Sequence, residues 1–133
     1  MTSKNKRNAS GEKGETRIRK FLAKEGFVFD HSKKRNRIDF IIYLKDGPIY
    51  VDSKKQDSGG STDEKLPHMT HKYAKQYDTN RIIVVRGKKK ISGHVLEHLD
   101  FIHETRDIKT EIYTFGEFCN LLKHKQSSGG LDV

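Results

Sequence analysis

The chain has no tryptophan, one cysteine and two prolines, and only 32% of its 133 residues are hydrophobic. Each scarcity excludes something. A lone Cys119 rules out an intramolecular disulfide framework and any cysteine-rich zinc site. A reducing compartment, cytoplasmic or nucleoid-associated, is therefore expected. No apolar run approaches the roughly 18 residues of a membrane span, and no apolar segment follows the basic N-terminus as a signal peptide requires. No membrane partner is expected. The small apolar fraction suits one thin core, placed in a single domain over residues 11–124, with residues 1–10 and 125–133 read as mobile tails.

Positive charge is what the chain has in excess. Lys and Arg number 27 against 18 Asp and Glu, a net charge of +9. On so small a body this implies a polyanionic partner, nucleic acid before an acidic membrane surface or an acidic protein. The basic segments are 4–7, 33–37 and 88–90, with Lys72 and Lys75 on a predicted helix. Residues 33–37 lead directly into Asp39, where a DNA strand would have to pass.

Apolar spacing predicts the order α-β-β-β-α-β-α-β-α. Ile18, Phe21 and Leu22 mark a helix over 11–25 that stops at Gly26. Further helices are expected at 67–78, 94–104 and 116–124, and strands at 27–29, 38–45, 48–55, 81–86 and 111–115. A hairpin followed by a helix crossover to another strand gives an α/β fold, a mixed central sheet flanked by helices.

The hairpin carries the chemistry. With Asp46-Gly47 as the two turn residues, Asp39 opposes Lys54 and Ile41 opposes Asp52. Alternation then puts Asp39, Ile41 and Tyr43 on one face with Tyr50, Asp52, Lys54 and Gln56. Ile38, Phe40, Ile42, Leu44, Ile49 and Val51 take the other face, as core. Glu15 shares a helical stripe with Ile18 and Leu22, where a carboxylate is costly unless paired, hydrogen-bonded or bound to a metal. It is a candidate third acid. Clustered carboxylates are hard oxygen ligands that suit Mg²⁺, with Mn²⁺ as substitute, rather than zinc. A neighbouring ammonium can orient water or neutralise charge developing on phosphate. Together these features imply metal-assisted phosphodiester hydrolysis.

Glu15, then Arg37-Ile38-Asp39-Phe40, then Val51-Asp52-Ser53-Lys54-Lys55-Gln56 resembles the PD-(D/E)XK nuclease superfamily of restriction-endonuclease-like enzymes. The resemblance spans roughly residues 11–87, including the element order. It implies Asp39 and Asp52 as metal-binding acids, Lys54 as the motif lysine, Glu15 as the helix glutamate, and Gln56 as the glutamine found in several branches. Ile38 replaces a frequent proline, and Asp52 stands where Glu is commoner, one methylene shorter. The activity implied is that of a Mg²⁺-dependent DNA endonuclease of a small restriction-like, phage or mobile-element type. A Holliday-junction resolvase and a non-catalytic nucleic-acid-binding module are the alternatives. A homodimer is expected, since so small a chain has room for one active site and DNA has two strands. Candidate DNA contacts are Lys33, Lys34, Arg35, Arg37, Lys55, Ser61, Lys65 and Lys72. Residues 59–67 resemble the loop that follows the active-site strand in some restriction-like nucleases, and small residues there would allow close approach to a phosphate backbone, a solvated connection being the alternative.

Rival motifs are weaker. His94 and His98 lack a His-Glu-x-x-His arrangement, His68 and His71 have no cysteine support, and neither glycine-rich segment has P-loop spacing. No nucleophile-elbow sequence accompanies a serine.

Overall fold

The computed structural model describes residues 3–54, 65–87 and 90–131. Its elements are α1 (Ser3–Lys24), β1 (Val28–His31), β2 (Phe40–Leu44), β3 (Gly47–Ser53), α2 (Leu66–Gln76), β4 (Arg81–Val85), α3 (Gly93–Arg106), β5 (Lys109–Tyr113) and α4 (Phe115–Leu131). The order is the one the apolar spacing predicts. The outer helices are longer than predicted. α1 begins at Ser3 rather than 11, and α4 runs to Leu131 rather than 124, so both enter the segments read as tails. Residues 3–10 contain no Gly or Pro to interrupt a helical ladder, whereas α4 continues through Gly129 and Gly130 against their low helix propensity. α1 ends where expected: Gly26 takes φ +78°, the Gly26 amide bonds to Ala23 O and the Phe27 amide to Leu22 O. That paired closure, with glycine in the left-handed position, reverses the chain into β1.

The strands form one sheet in the order β1-β2-β3-β4-β5. β1, β2 and β3 are antiparallel neighbours, while β3, β4 and β5 run parallel. α1 and α4 cover one face, where Ile18, Leu22, Phe118 and Leu122 pack on Phe40, Ile42, Val51 and Ile83. α2 and α3 cover the other, where Leu66, Tyr73, Ala74 and Ile102 pack on Ile82 and Val84.

The β2–β3 register differs from the sequence expectation by two residues. Leu44 pairs with Gly47, Tyr43 with Pro48 and Phe40 with Val51, so the turn residues are Lys45 and Asp46 rather than Asp46 and Gly47. Proline explains the shift. The pair flanking a two-residue turn needs an amide donor on its second strand, and Pro48 has none. Gly47 supplies that N–H, and Pro48 falls at the next, non-hydrogen-bonded position. Gly47 takes φ +125°, a conformation glycine adopts without steric cost. A slip of two keeps the paired side chains of β2 and β3 on their expected faces. Ile38, expected beside Phe40 and Ile42, lies ahead of β2, where strand alternation no longer governs it, and it packs in the opposite cluster with Leu66, Tyr73 and Ile82.

Candidate active site

Asp39 stands one residue before β2, and Asp52 is the sixth residue of β3. Extending the ladder one step beyond Phe40–Val51 sets Asp39 opposite Asp52, not Lys54, and Tyr50 rather than Asp52 opposite Ile41. The two carboxylates therefore meet directly. The Asp39 amide donates a long bond to Asp52 Oδ1 at 3.4 Å, and the Ser53 amide donates to Asp39 Oδ2 at 2.8 Å. Lys54 follows β3 and turns its ammonium back, with Nζ 2.8 Å from Asp52 Oδ2. The acids lie at the carboxyl end of β3, beside the carboxyl ends of β4 and β5, where open α/β sheets place their ligands.

Asp52 is 2% exposed. Burial first, then the facing Asp52 charge, push the Asp39 carboxyl up from 3.8 to about 8; the Ser53 amide opposes the rise and Glu15 adds to it. A half-buried carboxylate facing a buried one gains from a proton or a cation that offsets the like charge.

Glu15 is near enough to act on Asp39 electrostatically, but its side chain is engaged elsewhere. His31 Nε2 donates to Glu15 Oε1 at 2.9 Å, and the His31 ring stacks on Phe40 with centroids 4.4 Å apart. Among the described residues no three acids, histidines or cysteines are grouped to hold an ion. The structure thus brings together Asp39, Asp52 and Lys54, and ties Glu15 to His31. α1 reaches this place because of Gly14. A Cβ there would lie 3.2 Å from Ser53 Oγ, tighter than ordinary contact, so glycine lets the helix run close to the strand bearing the acids.

Lys33, Lys34, Arg35, Arg37 and Lys65 are exposed. Lys72 is partly committed to structure, its Nζ donating to Asn36 Oδ1 at 2.7 Å. Gln76 Nε2 donates to Asn36 O at 2.9 Å, and Asn36 itself takes φ +66°, a conformation asparagine tolerates well. Lys55, Gln56 and Ser61 lie outside the described residues, as do residues 88 and 89 of the basic run at 88–90. Sequence reasoning missed His31, Asn36, Tyr73 and Tyr77 at this site. The tyrosines carried a signal of a kind, standing four apart, Tyr73 in α2 and Tyr77 capping its end, but such spacing reads equally as core.

The donor set fits a hard divalent cation: two opposed carboxylates, one with a raised proton affinity and the other with an Oδ2 that is buried and makes no hydrogen bond of good geometry despite the nearby ammonium. A separate cavity of about 670 Å³ opens at the other end of the sheet, among Gly26–Val28, the β2–β3 turn, Thr79–Arg81 and His124. Among the described residues no cluster of carboxylates lines it.

The mixed five-stranded sheet, helices on both faces and the acids at its parallel end define an α/β domain of the restriction-endonuclease-like fold. A family model described as a PD-(D/E)XK nuclease superfamily domain matches residues 7–122. The chain belongs to that superfamily. No curated protein matches it.

Proposed function

We propose that this nuclease-superfamily domain is a divalent-cation-dependent DNA endonuclease, acting as a homodimer, with Mg²⁺ as the working ion and Mn²⁺ as a substitute. One observation carries the reading: two opposed carboxylates, Asp52 buried and Asp39 half-buried, with a lysine ammonium 2.8 Å from one of them. A purely nucleic-acid-binding surface gains nothing from acids beside phosphates; a hydrolytic site does. Asp39 and Asp52 would hold the cation, and Glu15 would complete the acidic site through water while it stays bonded to His31. When bound, the ion supplies Lewis-acid polarisation of the phosphoryl oxygen and a more acidic water.

The chain's own residues do the rest. Asp52 holds the Lys54 ammonium over the site, where it orients the attacking water and offsets negative charge on the phosphate. The Ser53 amide fixes Asp39 Oδ2, so the carboxylate is preset rather than ordered at the moment of binding. Gln56, two residues beyond Lys54, would position water or phosphate. The exposed cations at 33–37, which run into Asp39, would seat the backbone of the cleaved strand, and Lys55, Ser61 and Lys65 would extend that track. The +9 charge supports a nucleic-acid substrate, and two strands to cut with one site per chain support pairing of two copies.

The test is a panel of supercoiled, linear, branched and single-stranded DNA, plus RNA, incubated with and without Mg²⁺ or Mn²⁺. Cation-dependent cleavage by the wild type, lost in Asp39→Ala and Lys54→Ala, is the expected result. Binding without cleavage under any divalent ion rejects the reading, and a preference for RNA rejects its substrate.

A further inference from the structure

The peptide joining Arg37 to Ile38 has no strand partner, because β2 begins only at Phe40. Ile38 is nonetheless buried, at 2% exposure, and a buried peptide must find hydrogen bonds elsewhere. α2 provides both. Tyr73 Oη donates to the Arg37 carbonyl at 3.2 Å, and the Ile38 amide donates to Tyr77 Oη at 3.1 Å. The two hydroxyls, one helical turn apart, thus hold the two ends of one peptide plane, immediately before Asp39. Tyr77 also stacks on Tyr50, with ring centroids 5.1 Å apart and planes at 29°. Tyr50 lies two residues before Asp52 on the same face of β3, so one side chain touches the approach to both acids.

We infer that Tyr73 and Tyr77 are positioning residues that set the placement of Asp39 against Asp52. Lys72 and Gln76 hold Asn36 beside them, so four residues of α2 and its end brace Asn36, Arg37 and Ile38. The inference rests on the cation-dependent cleavage proposed above for its kinetic readout, and on geometry alone for its structural one. Residues that orient metal-binding groups typically change metal affinity or activity by about 10–100-fold when lost.

Tyr73→Phe, Tyr77→Phe and the double variant keep the rings and remove the hydroxyls. Each single change is expected to raise the Mg²⁺ concentration for half-maximal cleavage about tenfold, the double change more, with KM for DNA at saturating Mg²⁺ within about twofold of wild type. Tyr43→Phe is the control: it removes a tyrosine hydroxyl bonded to Asp30 on an exposed part of the sheet and is expected to leave the cation requirement unchanged. A second readout needs no cleavage. The Ser53 amide, bonded to Asp39 Oδ2, is expected to exchange its hydrogen faster in the two clamp variants and not in the control. Tyr77 is the less buried of the pair and carries the test if the Tyr73 variant does not fold. A lowered melting temperature with an unchanged cation requirement and unchanged Ser53 exchange overturns the inference and leaves the tyrosines as packing. If the wild type cleaves nothing, the enzymatic proposal fails, while the exchange measurement still decides the positioning claim.

Discussion

Asp39 and Asp52 clasp each other across adjacent strands: the backbone amide of Asp39 donates to the Asp52 carboxylate, and the amide following Asp52, that of Ser53, donates to the Asp39 carboxylate. The exchange fixes two acids side by side, Asp52 buried and Asp39 half-buried, an arrangement that favours a bound proton or cation and disfavours an empty, fully ionised pair.

Without metal, stability should fall as pH rises. Asp39 is raised from 3.8 to about 8 by burial and by Asp52, so the folded state keeps a proton that the unfolded chain releases. Its contribution to stability is full below 3.8 and is lost as pH rises through about 8. The metal-free melting temperature should therefore fall across that window, and Asp39→Asn should flatten the fall and melt higher than wild type at the upper end. Each kcal/mol is worth on the order of 4 °C in a domain of this size. Calorimetry across the window measures it; a wild-type curve that rises with pH contradicts it. Saturating Mg²⁺ should raise the wild-type midpoint and not that of Asp39→Asn.

Lys54 should matter to folding as well as to cleavage. Lys54→Met leaves the buried Asp52 carboxylate without its cation and should cost about 1–3 kcal/mol at neutral pH, the side chain of Lys54 being a quarter exposed. Adding Asp52→Asn should recover most of that stability. Cleavage should fall by at least about 10²-fold in the single variant and stay lost in the double. Urea denaturation and a plasmid-nicking assay separate the two effects.

Gly14 should be limited by one atom. Alanine in a helix interior gains about 0.5–1 kcal/mol over glycine, but here its Cβ meets Ser53 Oγ at 3.2 Å. Gly14→Ala should therefore gain little or nothing in the wild-type background and the full propensity benefit in a Ser53→Ala background. A double-mutant cycle of unfolding free energies gives the coupling; strict additivity would mean that α1 does not press on β3.

The cations before Asp39 should act on binding, not on chemistry. Replacing Lys33, Lys34 and Arg35 by alanine should weaken DNA binding at all sequences and lower the salt slope by about 0.9 for each phosphate no longer neutralised. Turnover at saturating DNA should hold. Lys72→Ala should behave differently, disturbing the 36–38 segment through loss of its bond to Asn36, so its turnover should fall too.

The order of elements was legible because each apolar stripe has one period: Ile18 and Leu22 at helical spacing, Phe40, Ile42 and Val51 in alternation, Ile82 to Val85 as a continuous run buried on both faces. The pairing of Asp39 with Asp52 was legible only in part. Side-chain parity follows from odd and even positions, but the partner depends on which residues turn, and the missing amide of Pro48 overrode the usual preference for Asp-Gly. Glu15 could be placed on the inward stripe of α1, yet nothing local in the sequence names His31 as its partner, because that contact depends on where β1 lies relative to the helix. Tyr73 and Tyr77 belong to the same class. Their apolar bodies fit a core stripe, and only the tertiary arrangement reveals that their hydroxyls serve a peptide some 36 residues earlier.

β3 is flanked by hydrogen-bonded neighbours on either side, antiparallel β2 and parallel β4, and the bond from the Lys54 amide to Val85 carries that support one residue past its end. A lineage built on this architecture can reshape its outermost strands, lengthen its terminal helices or exchange its surface cations at little cost to the paired acids. The strand that holds Asp52 has no such latitude, so diversification of targets should be written at the periphery while the innermost strand is inherited nearly intact.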